Sequence, residues 1–167
     1  AYYYSFGLKT VSLRFANCYG PYSDHKTSVI TKFMKWVKGG KPLIIYGDGN
    51  QTRDFIHVDD ICQAIYLCLV TSNSRLSTQN FRVFQIATGM ETSVNELVEM
   101  IKEVTEKNLQ IIYEIERRGE IKRNYSSINK AKKMLGFEPK IGLRKGLFQL
   151  WHWETGRDKL DPVPELH

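Results

Sequence analysis

Cysteine is scarce in this chain. Cys18, Cys62 and Cys68 stand at no paired spacing among 167 residues, and an odd number argues against a disulfide framework. They are expected to be reduced and mostly packed. No apolar run reaches the roughly 18 residues that a membrane-spanning helix needs. The start, Ala1-Tyr2-Tyr3-Tyr4-Ser5, has neither the basic head nor the small-residue cleavage site of a secretory signal. A cytoplasmic protein with no membrane partner is the default expectation. Blocks of like charge are absent too: 24 Lys and Arg exceed 18 Asp and Glu to give +6, but they are spread along the chain. That balance suits an anionic ligand without identifying one. With no Arg-rich helix, no RNP-like aromatic strand and no zinc spacing, nucleic acid is not the expected partner and no metal site is expected. Internal repeats and low-complexity stretches are missing as well.

The chain has instead a regular alternation of short apolar strands and amphipathic helices. Lys9 to Ala16 places Val11, Leu13 and Phe15 in alternation and runs into Asn17 and Gly20-Pro21, which predicts a strand ending in a turn. From Ser28 to Lys38, Val29, Ile30, Phe33, Met34, Trp36 and Val37 recur at helical spacing, and Gly39-Gly40 supplies the stop. Pro42 to Tyr46 reads as a short strand followed by the tight loop Gly47-Asp48-Gly49-Asn50. Asp59 or Asp60 is a candidate cap for a helix carrying Ile61, Ala64, Ile65, Leu67, Cys68 and Leu69, with Ser72 to Asn80 as its exit loop. Arg82 to Ala87 is a further strand. Ser93 and Glu96 fit a capping box for a helix to about Lys107, and Gln110 to Glu116 alternates as a strand. Ser127 is positioned to cap a helix over Ile128 to Leu135 that stops at Gly136, and a last helix covers roughly Leu143 to Glu154 with Leu147, Leu150 and Trp151 inward. This alternation places the chain in the α/β class.

Two stretches carry more than structure. Leu13-Arg14-Phe15-Ala16-Asn17-Cys18-Tyr19-Gly20-Pro21 is followed by Ile45-Tyr46-Gly47-Asp48-Gly49-Asn50-Gln51-Thr52-Arg53-Asp54-Phe55-Ile56-His57-Val58-Asp59-Asp60. Together they closely resemble the extended short-chain dehydrogenase/reductase family, the nucleotide-sugar epimerases and dehydratases. Arg117-Arg118-Gly119-Glu120 resembles that family's R-x-G-D element, and Ala131 to Pro139 its closing K-x-L-G-[WFY]-x-P segment. The matches run in family order from about Leu8 to Trp153. The resemblance implies the C-terminal, substrate-binding part of a Rossmann-type enzyme, with NAD held mainly by an N-terminal domain.

The family's G-x-x-G-x-x-G and its catalytic Tyr-x-x-x-Lys, on a helix before the L-R-F-A-N strand, have no counterpart at their places in this chain. Tyr22-Ser23-Asp24-His25-Lys26 satisfies the second pattern literally but follows Gly20-Pro21, where the family has a loop, so it is read as solvated loop. No catalytic residue is therefore expected here. By the resemblance, residues 1–20 end the Rossmann domain and residues 21–156 form the substrate domain. Within the latter, elements near 58–70 and 82–88 pack back on the Rossmann sheet, and 157–167 is a loose tail.

The implied substrate is a UDP- or dTDP-sugar, whose two phosphates suit the planar, bidentate fork of arginine. The resemblance gives that role to Arg53 and Arg117; a structural pair of Arg53 with Asp54 or Asp59 is the plainer alternative. Glu120 stands where the family usually has Asp, accepting from the nucleoside ribose. Asn17 offers a donor and an acceptor near the nicotinamide and substrate, or else caps the turn before Gly20, and Cys18 beside it is placed with the cofactor. Ile44 and Tyr46 share one strand face, against the nucleobase by resemblance or in the core otherwise. His57 is read as fixing the loop before the Asp59-Asp60 cap, not as acid or base.

The activity implied for the parent is NAD-dependent UDP-hexose 4-epimerisation through a 4-keto intermediate, in a protein expected to be a homodimer. dTDP-glucose 4,6-dehydratase and UDP-glucuronate decarboxylase are the alternatives within the class, and a non-catalytic nucleotide-sugar binding module is the alternative outside it. The chain alone is expected to be inactive and to self-associate or need an N-terminal companion chain.

Overall fold

The computed structural model describes residues 2–8, 10–23, 25–71 and 81–156. The expected exit loop, Ser72 to Asn80, and the tail 157–167 lie outside them. A short helix α1 (Tyr2–Phe6) precedes strand β1 (Thr10–Phe15), which pairs in parallel with β6 (Phe81–Ile86), Thr10 opposite Phe81. Beyond Ala16 the chain changes partner. Residues expected to turn form instead a second strand, β2 (Asn17–Tyr19), parallel to β5 (Phe55–His57). A third parallel pair joins β3 (Leu43–Tyr46) to β8 (Ile111–Glu114), a shorter strand than alternation over Gln110 to Glu116 predicts. The last sheet is small: β4 (Thr52–Arg53) lies between antiparallel β7 (Thr92–Ser93) and parallel β9 (Arg123–Asn124).

The helices follow their apolar spacing. In α2 (Val29–Lys38), Ile30, Phe33, Met34 and Val37 recur at i, i+3, i+4, i+7 and are all buried. Each such side chain contributes on the order of 1.5 to 3 kcal/mol by leaving water. Helix α4 (Val94–Thr105) opens with the expected reciprocal box: Ser93 Oγ accepts from the Glu96 N–H at 3.1 Å, and Glu96 accepts from the Ser93 N–H at 2.7 Å. Those bonds to Ser93 hold the Glu96 carboxyl below its ordinary pKa. The helix ends at Thr105, short of Lys107, because Glu106 takes a left-handed conformation with φ 54°. Helix α6 (Leu143–Thr155) buries Leu147, Leu150 and Trp151 as its spacing requires.

Two expected caps are corrected. Helix α3 (Val58–Val70) is capped by His57, whose ring accepts the Asp59 N–H at 3.3 Å; Asp59 and Asp60 fall in the first turn. Helix α5 (Asn129–Leu135) begins one residue later than expected, with Ile128 at the N-cap and Ser127 Oγ 3.4 Å from the Asn129 N–H. Ser127 thus makes only a long bond, one residue upstream of a cap.

The β2–β5 ribbon stands between two cores. Tyr19 and Phe55 enter a core with α2, β3, α4 and α6, while the next residue, Ile56, enters the other with Ile61, Ala64, Phe84, Ile86, Ala131, Leu135 and Phe137. Alternation along one strand therefore feeds both. Around β1 and α3, apolar side chains also face outward: Val11 is 38%, Phe15 47%, Tyr66 62% and Leu69 79% exposed. Ile65, on the same helix, is exposed as well.

Candidate nucleotide-binding site

At the C-terminal end of β3, Leu43 and Ile45 point into the first core, while Ile44 and Tyr46 lie half-buried on the opposite face, as alternation requires. The loop after Tyr46 is fastened from α4. Asn95 donates to the Asp48 carbonyl at 3.0 Å and to Asn50 Oδ1 at 3.3 Å, and receives the Tyr113 hydroxyl at 3.2 Å. Gly49, at φ +76°, is needed there because a Cβ would lie 2.1 Å from Asn95 Oδ1. Gln51 closes the loop on the Tyr46 carbonyl at 2.9 Å. The strand end carrying Tyr46 is thereby held from both sides.

A second segment crosses this end. Arg117 and Glu120 share one turn, the Glu120 N–H reaching the Arg117 carbonyl at 3.1 Å around Gly119, which has φ +82°. The Arg117 guanidinium carbon sits 3.7 Å from the centre of the Tyr46 ring, a cation stacked on an aromatic face. Glu120 forms an ion pair with Arg53 Nη2, the two side chains being 22% and 17% exposed. Arg53 Nη1 donates to the Thr52 carbonyl at 2.8 Å and the Ile121 carbonyl at 2.6 Å. Neither expected partner of Arg53 is the one found: Asp54 turns away and accepts Thr88 N–H at 2.9 Å, Thr88 Oγ1 at 2.7 Å and Gly89 N–H at 2.9 Å.

The segment is also pinned at its far end. Glu91 accepts two bonds from Arg123, 2.9 and 2.8 Å, and one from Thr52 at 3.2 Å. Bonding to Arg123 draws the Glu91 carboxyl below its usual range. Glu91, Asn95 and Arg123 were not foreseen from sequence, since each works through a partner that is distant along the chain.

Asn17 is one residue removed from this group. Its Nδ2 and its backbone N–H both donate to the Asp54 carbonyl, at 3.0 and 2.9 Å, so it ties β2 to β5 instead of capping the Gly20 turn. Cys18 packs against the second core. Tyr46, Arg53, Arg117 and Glu120 thus form two contacting pairs at one strand end, with Ile44 below Tyr46 on the same face and Asn17 linked through Asp54.

His57 is 1% exposed and stacks edge-on against Tyr19 at 5.3 Å. Burial lowers its pKa, opposed by Asp59 and Asp60 and assisted by Lys145. Its position inside the fold, with the cap bond to Asp59, fits anchoring rather than chemistry. Tyr22 takes φ 63° in a turn, is 80% exposed and rests against Trp153, so the literal Y-x-x-x-K is not on a helix.

Residues 1–150 match the family model described as GDP-mannose 4,6 dehydratase. A UDP-glucose 4-epimerase of Thermotoga maritima, solved with UDP-glucose, superposes with a TM-score of 0.82 at 33% identity, covering 96% of this chain and 50% of that one. The UDP-glucuronic acid 4-epimerase of Bacillus cereus, solved with UDP-glucuronic acid and NAD, gives 0.79 at 27% identity, covering 93% and 48%. A dTDP-glucose 4,6-dehydratase of Streptomyces niveus is 29% identical over 154 residues, 92% of this chain and 44% of its own length. The chain spans about half the length of the relatives it matches.

Proposed function

This chain belongs to the GDP-mannose 4,6-dehydratase family of extended short-chain dehydrogenases/reductases, and from that membership we propose that it is the nucleotide-sugar binding portion of an NAD-dependent UDP-hexose 4-epimerase. The observation that carries the reading is the pair of contacts at one strand end, Arg117 on Tyr46 and Arg53 with Glu120. Two guanidinium donors, an aromatic face and a carboxylate acceptor are the groups that a pyrophosphate, a base and a ribose require. Arg117 and Arg53 neutralise the phosphates, Tyr46 and Ile44 lie along the base, and Glu120 accepts from ribose hydroxyls. Held this way, the sugar is presented at the mouth of β2, where Asn17 orients it.

When bound, NAD supplies hydride removal from and return to C4 of the sugar, by way of a 4-keto sugar. The residues at hand fit only the margin of such a cofactor. Asn17 has its Nδ2 bonded to Asp54, which leaves its Oδ1 as the acceptor, while Cys18 packs on the second core. NAD is accordingly held mainly by an N-terminal Rossmann half. We assign β1, β6 and α3 to the side that meets that half; their outward apolar residues support this division. Residues 21–156 otherwise form the substrate domain.

The full-length protein with NAD is expected to interconvert UDP-glucose and UDP-galactose. Loss of water from a dTDP-hexose or of carbon dioxide from UDP-glucuronate would move the assignment to the dehydratase or the decarboxylase. Binding of UDP-sugars without turnover of any of them would leave a non-catalytic binding module in place of the enzyme.

A further inference from the structure

We infer that Glu120 sets the ligand selectivity of this site by competing with inorganic anions for Arg53 and yielding it to an anion that also brings a ribose; this rests on the nucleotide-sugar reading above. The two cations are unequally placed. Arg117 faces a ring, whereas Arg53 faces a carboxylate. Arg53 Nη1 is engaged by the carbonyls of Thr52 at 2.8 Å and Ile121 at 2.6 Å, which leaves Nη2 and Nε to meet an anion. Nη2 is the nitrogen that Glu120 holds. A phosphate oxygen arriving there must displace that carboxylate or lie beside it.

Neither arrangement is free for a bare anion. With the two side chains only 17% and 22% exposed, their pairing is less screened than a surface ion pair, and a second negative charge is less tolerated. Inorganic phosphate or pyrophosphate carries no hydroxyl donor apart from a P–OH of the competing anion itself to satisfy Glu120 once Arg53 is taken. A nucleoside diphosphate does: its ribose hydroxyls give the released carboxylate new partners. Glu120 is fixed for this exchange by its turn, which keeps it beside Arg117. Its extra methylene, relative to the Asp usual at this point, lengthens its reach toward Arg53 by about one bond. The carboxylate therefore penalises anions that are not nucleotides.

The test compares inorganic pyrophosphate and UDP by calorimetric titration on the full-length protein, for the wild type, Glu120→Gln and Glu116→Gln. Glu116 is the control, since it pairs with Lys122 and its loss changes net charge equally without touching Arg53. Glu120→Gln is expected to tighten pyrophosphate about two- to fivefold, the range set by a partly screened ion pair, while UDP binding stays level or weakens, so the preference for UDP narrows. Glu116→Gln should leave that preference unchanged. An unchanged preference in Glu120→Gln, or equal narrowing in Glu116→Gln, would overturn the inference while leaving the nucleotide-sugar reading intact. A wild type that binds no UDP would overturn that reading and the inference with it.

Discussion

Replacing Gly146 by alanine sets two effects of opposite sign against each other. Gly146 is a helical residue of α6, and in an open helix the change would stabilise by up to about 1 kcal/mol. Here a Cβ would lie 2.2 Å from the Tyr19 hydroxyl and 2.8 and 2.9 Å from two carbons of its ring. That ring has little room to retreat: Tyr19 is 1% exposed, stacked edge-on against His57 and part of the first core. Overpacking of this kind costs about 1 to 3 kcal/mol, so the clash outweighs the helix gain over most of that range and Gly146→Ala should destabilise by up to about 2 kcal/mol. For a chain of 167 residues the thermal midpoint should fall by up to roughly 8 °C. Circular dichroism melts of the single variants and the pair would separate the causes. Tyr19→Phe alone should cost little, because its hydroxyl bond to the Leu143 carbonyl is long at 3.5 Å, yet it should recover part of the loss in the alanine background. A melting point raised by Gly146→Ala, or strict additivity of the two changes, would refute the packing argument.

Three further outcomes follow from the same geometry. Burial lowers the His57 pKa below its unfolded value of about 6.5, so its stabilising contribution is complete above that pH and is lost as pH falls through it toward the folded value; the thermal midpoint of the wild type should drop more between pH 7.5 and 5 than that of His57→Asn, a non-titrating cap. Asp60 is 2% exposed and accepts the N–H groups of Lys140 at 2.8 Å and Ile141 at 3.2 Å, so Asp60→Ala, which orphans both, should cost about 2 to 4 kcal/mol in urea unfolding; a loss of unfolding free energy below a quarter of that would show the bonds to be dispensable. The isolated chain, with Val11, Phe15 and Leu69 exposed around an edge of β1 that has no partner among the described residues, should self-associate in sedimentation velocity; a sharp monomer at high concentration would contradict this.

Local signals carried much of the fold. The i, i+3, i+4, i+7 run of α2 and the Ser93/Glu96 box name their helices because the interactions involved lie within two turns. Where contacts are distant, the residues alone were mute. Nothing near Asn17 announces that the chain leaves β6 for β5, since short strands take their identity from the partner. His57 displaced the acidic residues as the cap of α3 because its ring is buried against Tyr19 and delivered to the Asp59 N–H, a placement set by tertiary packing. In the site, strand alternation alone put Ile44 and Tyr46 on one face. The ion pair of Arg53 with Glu120 joins residues 67 apart, and the Glu91–Arg123 clamp joins residues 32 apart, spacings at which no local pattern operates.

The central claim is that Tyr46, Arg53, Arg117 and Glu120 grip a nucleotide sugar, and it is tested most directly by calorimetric titration of UDP-glucose into the full-length protein and its Arg117→Ala variant. Loss of one charge-assisted phosphate contact should weaken binding by about 10- to 150-fold. Equal affinity in the two proteins would contradict the account.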